Sequence, residues 1–209
     1  MLPPKVDEAL TITCGGQDTS VWFCSAVPPK KSLTKDDWLR AAMEMLRTHG
    51  IGGVRVLPLA KKLRVSRGSF YWHFENLQDL KDSMLDWWDR EMTDSVIEHA
   101  NAARGGAQAR LIAVGEDVLT ANRNRYDLAV RSWAQGDKKA KRVVRRVLRK
   151  RLEYVTSLFR EAGFTPAEAR ARGELMAVYI MMSEEADFSD KSEGERLRLL
   201  RRQVRSLMS

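Results

Sequence analysis

The sequence predicts an all-α protein of about nine helices: a three-helix head carrying a helix-turn-helix, followed by a larger helical body. Three observations lead there. Apolar residues recur at three- and four-residue steps along most of the chain, and no stretch alternates as a half-buried strand would. Helix start signals precede several of these runs, at Thr34 to Asp37, at Asn76 with Asp79, and at Thr165-Pro166-Ala167-Glu168. Between Pro58 and Phe74, PLAKKLRVSRGSFYWHF, two short helical patterns flank a tight turn.

Residues 1–32 carry Pro3-Pro4, Gly15-Gly16 and Pro28-Pro29 without sustained periodicity, and are expected to form a disordered or loosely packed tail. Cys14 and Cys24 lack metal-ligand and CxxC spacing, so they read as incidental thiols, with a redox pair as the alternative. The first helix opens at the Thr34–Asp37 capping box, places Trp38, Ala42, Met45 and Leu46 on one face, and stops at Gly50. A connector through Gly52 and Gly53 leads to the second helix, with Pro58 in its first turn. Ser66 is placed to cap the third. A longer helix then carries Leu77, Leu80, Met84, Trp88 and Met92 or Val96 up to Gly105-Gly106.

The next helix, near 107–121, buries Leu111, Val114, Val118 and Leu119, and a short one follows near 126–134. The segment 137–162 hides an apolar stripe (Val143, Val144, Val147, Leu148, Leu152, Val155 and Phe159) beneath a dense basic face. From Lys138 to Arg151, Lys139, Lys141, Arg142, Arg145, Arg146, Arg149 and Lys150 add to that face. It reads as a solvated helix face, with a second anionic contact surface as the alternative. After Gly163, the helix opened by Thr165 shows Ala169, Gly173, Met176 and Ile180 together. A polar loop at 187–192 precedes a last helix whose Leu197, Leu200, Val204 and Leu207 form a 3-4-3 seam that wants a partner helix.

Composition narrows the function. The chain is 44% hydrophobic and 31% charged with net charge +8 and pI near 9.7, which favours a polyanionic partner. No apolar run approaches the ~20 residues that span a bilayer, and the expected location is cytoplasmic. Phosphate-cradling glycine loops, nucleophile elbows and metal-ligand spacings are missing from the sequence, so no enzyme, cofactor or metal is expected.

The helix-turn-helix carries the sharpest signal. Leu59, Ala60, Leu63, Val65, Phe70 and Phe74 occupy the positions a compact motif must bury. The positions between them are basic, small or polar-tipped aromatic: Lys61, Lys62, Arg64, Arg67, Gly68, Ser69, Tyr71, Trp72 and His73. Cations and hydroxyls meet phosphates, and small residues let the backbone approach base edges in a major groove. From Arg55 to Lys81 there are six Lys or Arg (55, 61, 62, 64, 67, 81) against Glu75 and Asp79, a net of +4. Trp72 has two readings, a phosphate-side contact and packing on the first helix.

Across Thr34 to Leu80, the Leu59-Ala60 pair, Val65-Ser66-Arg67-Gly68-Ser69-Phe70-Tyr71, His73-Phe74 and Leu80 resemble the TetR family of bacterial transcriptional regulators. The resemblance implies an all-helical homodimer. Residues 33–76 form the DNA-binding domain and residues 77–209 the ligand-binding and dimerisation domain. Carried over to this chain, Ser66 caps the recognition helix, Arg67, Gly68 and Ser69 face the groove, and Tyr71 and His73 reach the backbone. Arg55, Lys62, Trp72 and Lys81 complete the expected DNA-binding set. Two positions depart from the family pattern: Leu77 stands where a phosphate-anchoring lysine is usual, which leaves Lys81 to substitute or the contact absent, and Arg55 stands where a capping threonine is common.

Trp87, Trp88, Tyr126, Trp133, Met176 and Tyr179 are the candidates for an effector pocket, or else core, and would suit an apolar or flat aromatic molecule. Ala169, Gly173, Met176, Ile180, Leu197, Leu200, Val204 and Leu207 are the expected dimer interface. The implied function is ligand-responsive transcription regulation. It is a repressor released from a palindromic double-stranded operator by a small molecule. The alternative is a helical module that binds a protein or an anionic surface without operator specificity.

Overall fold

The computed structural model describes residues 33–182 and 191–209. The expectations for the first 32 residues, Cys14 and Cys24 among them, and for most of the 187–192 loop lie outside that range. Among the described residues there is no strand, and the helices follow one another with short links.

Helix α1 (Lys35–Gly53) opens on the expected capping box: Thr34 Oγ1 accepts from the Asp37 amide at 3.2 Å and Asp37 accepts from the Thr34 amide at 2.8 Å. Trp38, Ala42, Met43 and Leu46 are buried along one face. At Gly50 φ turns to +66°, so the rod breaks there and only a short turn continues to Gly53. Helix α2 (Val56–Leu63) has no side-chain cap, and Pro58 sits in its first turn, where a missing N–H costs little. It closes with Arg64 in the left-handed region (φ 56°, ψ 42°), the Val65 amide donating to the Ala60 carbonyl at 3.0 Å. Helix α3 (Gly68–Tyr71) is four residues long, extended by turns that bring the His73 and Phe74 amides to the Phe70 carbonyl at 3.0 Å.

Asn76 caps α4 (Leu77–Asp89), accepting from the Gln78 and Asp79 amides, while Asp79 accepts from the Glu75 amide. The sequence reads one helix from here to Gly105-Gly106. The structure widens it midway into a π-helical turn, Arg90–Asp94, before α5 (Ser95–Ala102) resumes. The widened turn frees the carbonyls of Glu91 and Met92. Arg123 Nη1 donates to the first at 3.2 Å and Arg151 Nη2 to the second at 3.1 Å.

The body continues with α6 (Ala107–Thr120), α7 (Asp127–Gly136), α8 (Lys138–Glu161), α9 (Pro166–Met182) and α10 (Glu193–Leu207). Each of the last three has a local start signal. Asp137 accepts from the Lys139 and Ala140 amides, and Thr165–Glu168 and Ser192–Glu195 form reciprocal boxes. With α4, the π turn and α5 taken as one rod, the described residues form nine rods, the number expected.

One buried cluster runs from Trp38, Phe70 and Phe74 through Trp87 and Trp88 to Val130 and Val147. The head therefore shares its core with α4, α7 and the first half of α8, and packing is continuous across positions 76–77. A second cluster holds Leu111, Leu158, Phe159, Met176, Leu200 and Val204.

That second cluster corrects the expected dimer surface. Leu200 and Val204 are fully buried against α6 of the same chain, where Gly115 makes room: a Cβ on it would lie 2.4 Å from Leu200 Cδ1. Ala169, Gly173 and Met176 are likewise buried on α8, with Gly173 seated on Thr156. Ile180 and Leu207 are half-buried against the same cluster, and Leu197 is half-buried. A leucine seam asks for a partner helix without saying whose, and here the chain supplies it. The face of α9 left bare is the opposite one, Leu175 (62% exposed), Val178 and Met182.

Candidate nucleic-acid interface

The helix-turn-helix divides its residues as the sequence does. Phe70 and Phe74 are buried with ring centroids 5.2 Å apart, and Phe70 meets Trp38 edge-on at 5.6 Å. This aromatic floor fixes α3 against α1. Above it Ser66, Arg67, Gly68, Tyr71 and Trp72 are exposed and Ser69 is half-buried. Trp72, at 88% exposed, is not packed on the first helix, which removes one of its two readings. Arg67 Nη2 donates to the Tyr71 hydroxyl at 3.2 Å and its guanidinium lies 5.9 Å from the Tyr71 ring. Two groups able to meet phosphate are thus held side by side.

Ser66 differs from its expected role. Its carbonyl, not its hydroxyl, accepts from the Ser69 amide at 3.1 Å, and the hydroxyl pairs with Ser69 Oγ at 3.2 Å. Arg67 has helical dihedrals (φ −55°, ψ −34°), and with the Ser69 amide taken by the Ser66 carbonyl the Ser66 hydroxyl makes no side-chain cap. His73 is half-buried, its ring 6.4 Å from both Trp38 and Phe74. Arg55 is exposed but its Nε donates to the Gly52 carbonyl at 3.0 Å, bracing the link into α2 in place of a threonine cap. Lys81 is half-buried and helps hold the Asp137 carboxyl below the usual aspartate range, the amides of Ala140 and Lys139 being the larger causes. It therefore faces the start of α8 as well as solvent.

The electrostatics are one-sided. Among the described residues Arg55, Lys61, Lys62, Arg64 and Arg67 form no ion pair with a carboxylate. The α8 block is different, because several of its cations are engaged: Lys139 with Asp82, Arg146 and Lys150 with Asp89, Arg151 with Asp127.

Residues 39–84 match the model of the bacterial regulatory proteins of the tetR family. In this stretch the chain is similar to the TetR family. Among curated relatives, an HTH-type transcriptional regulator of Saccharopolyspora erythraea is 35% identical over 81 residues, covering 36% of this chain and 33% of the relative. The class A tetracycline repressor protein from transposon 1721 of Escherichia coli is 35% identical over 48 residues, covering 23% of this chain and 22% of the relative. The matches thus span a third or less of those proteins. Solved structures share the fold over much more of the chain. A transcriptional regulator from Rhodococcus sp. Rha1 has a TM-score of 0.65 at 16% identity, covering 84% of this chain and 96% of the other. A TetR-family regulator from Streptomyces coelicolor has 0.64 at 20%, covering 82% and 92%.

The helical body contains a cavity of about 260 Å³ between α5, α6, α8 and α9. None of the six aromatic and sulfur candidates lines it. Trp87, Trp88, Tyr126 and Trp133 belong to the first buried cluster, with Trp87 Nε1 donating to Asp36 at 2.6 Å and Trp88 Nε1 to Asp127 at 2.8 Å. Met176 is fully buried and Tyr179 half-buried in the second cluster, where burial pushes the Tyr179 hydroxyl pKa up. The cavity wall is instead aliphatic with a polar end of Thr93, Asn124, Asp127 and Arg151. One signal for it stands in the sequence: Arg151 lies between Val147 and Val155 on the apolar stripe of α8, a cation where a core residue is expected.

Proposed function

We propose that this chain binds double-stranded DNA as a homodimeric transcription regulator, with α3 entering the major groove and a small molecule in the α5–α9 cavity controlling binding. The observation that carries the reading is the exposed set Arg67, Gly68, Tyr71 and Trp72 on a buried aromatic floor, with no carboxylate neutralising it. Gly68 has only Ser66 Oγ within 4 Å of a built Cβ, so its smallness serves close approach to a partner rather than packing within the chain. Ser69, His73, Lys62 and Lys81 flank this set. The similarity of residues 39–84 to a family of transcriptional regulators and the shared fold support the reading.

In a dimer the two α3 elements would meet successive major grooves roughly 34–36 Å apart, so the operator would be a palindrome. The exposed stripe Leu175, Val178 and Met182 on α9 is the apolar surface best placed to pair with a second copy. The body is a repressor's sensor in this account: a molecule in the cavity shifts the population toward a dimer whose two α3 elements no longer match the groove spacing. A ligand must prefer one state by several kcal/mol to do this decisively.

Selection of genomic fragments on the purified protein tests the reading. A short palindromic sequence should be enriched by the wild type. Enrichment of no sequence, or equal enrichment by Arg67→Ala, would remove the assignment.

A further inference from the structure

The cavity wall also defines what can occupy it. Along its length it is aliphatic, from Val96 and Val118 to Leu152, Val155 and Ile180, and Tyr154 is the one aromatic ring among the described residues that line it. Such a wall offers a flat ring a single partner ring at most. Four charged side chains reach it, Arg123 and Arg151 against Asp127 and Glu174, so their charges sum to zero.

Each of the four is already engaged. Arg151 binds both oxygens of Asp127, donates through Nε to Thr93 Oγ1 at 2.8 Å, and lies 5.2 Å from the Trp88 ring. Arg123 reaches the Glu91 carbonyl and Asp117. Glu174, exposed at the rim, pairs with Arg170 at 2.5 Å. A carboxylate or ammonium entering this space would leave water and find no free counter-charge, and that desolvation is expensive. The Thr93 hydroxyl is different: it accepts from Arg151 and keeps its own hydrogen for an acceptor on a ligand.

We infer that the effector is an uncharged, mainly aliphatic molecule with a single acceptor oxygen at one end, such as an alcohol, ketone or ester, bound with that oxygen at Thr93. This rests on reading the cavity as the effector site. The occupant's oxygen would then touch the π turn that continues directly from α4, the helix leading out of the head.

Calorimetric titration of the full chain at pH 7 with 1-octanol, 2-octanone, octanoate, octylammonium and 2-naphthol separates the possibilities. Octanol and octanone should bind at least tenfold more tightly than the two ions and the naphthol. Thr93→Val should reduce octanone affinity several-fold, while Thr93→Ser keeps it. Octanoate, octylammonium or naphthol binding as tightly as octanol would overturn the inference and leave the cavity as the effector site. Binding of none of the five, by a protein that still retains its operator, would overturn both.

Discussion

At the scale of single residues, two positions carry measurable consequences. Arg64 closes α2 at φ 56°, a conformation that costs a non-glycine residue about 1–2 kcal/mol. Its charge faces solvent and pairs with no described carboxylate, so Arg64→Gly should raise unfolding stability by about 0.5–1 kcal/mol, measured by thermal melting. A lower melting temperature would mean that the side chain holds the turn. Asp137 caps α8, and the amides of Ala140 and Lys139 hold its carboxyl below the usual aspartate range. Because the folded value is depressed, the stabilisation is fully present above the unfolded-chain value of about 3.9 and is lost as pH falls through the lower folded value. Asp137→Ala should cost about 1 kcal/mol at neutral pH, and the gap to wild type should shrink below about pH 4 in urea titrations. Both caps are local, and such effects are the most legible from sequence. The Thr34, Asn76 and Thr165 starts stand where the sequence puts them. Ser66 does not cap because the Ser69 amide turns to its carbonyl and its hydroxyl pairs with Ser69 Oγ, a backbone detail that residue type does not encode.

At the scale of elements, the rods and their order follow from helical periodicity and breakers, while their partners do not. The leucine seam of α10 is readable, yet its companion is α6, more than eighty positions earlier. Gly115 is the key to that pairing. Gly115→Ala would place a methyl 2.4 Å from Leu200 Cδ1 and should destabilise the chain by about 1–3 kcal/mol in denaturant melts, with α10 released first in hydrogen exchange. Unchanged stability would show that Leu200 can swing away without loss. The π turn at Arg90–Asp94 was not legible for a related reason: the groups that donate to its carbonyls, Arg123 and Arg151, come from distant segments. The cavity escaped the aromatic candidates because a void is defined by where side chains fail to meet. The rings chosen for it are instead the ones large enough to fill the core.

At the scale of the molecule, the head and body share one aromatic core, and this sharing gives an occupant of the cavity a physical route to the recognition face. Asp127 binds Arg151 at the cavity and Trp88 in the core, and the neighbouring Trp87 donates to Asp36 in the first turn of α1. Function on DNA further asks for two copies. Leu175→Glu with Val178→Glu on the bare face of α9 should convert a dimer to monomers in sedimentation at micromolar concentration without lowering the melting temperature of the fold. A double variant that still sediments as the wild type does would move the interface elsewhere. The central claim is that the exposed face of α3 reads a duplex, and titration of the selected operator by fluorescence anisotropy at two salt concentrations tests it most directly. The account predicts nanomolar binding that weakens steeply with salt, at least about tenfold loss for each of Arg67→Ala and Tyr71→Ala, and no retained binding for the two together with folding intact. Variants that match the wild type in both affinity and salt slope would contradict it.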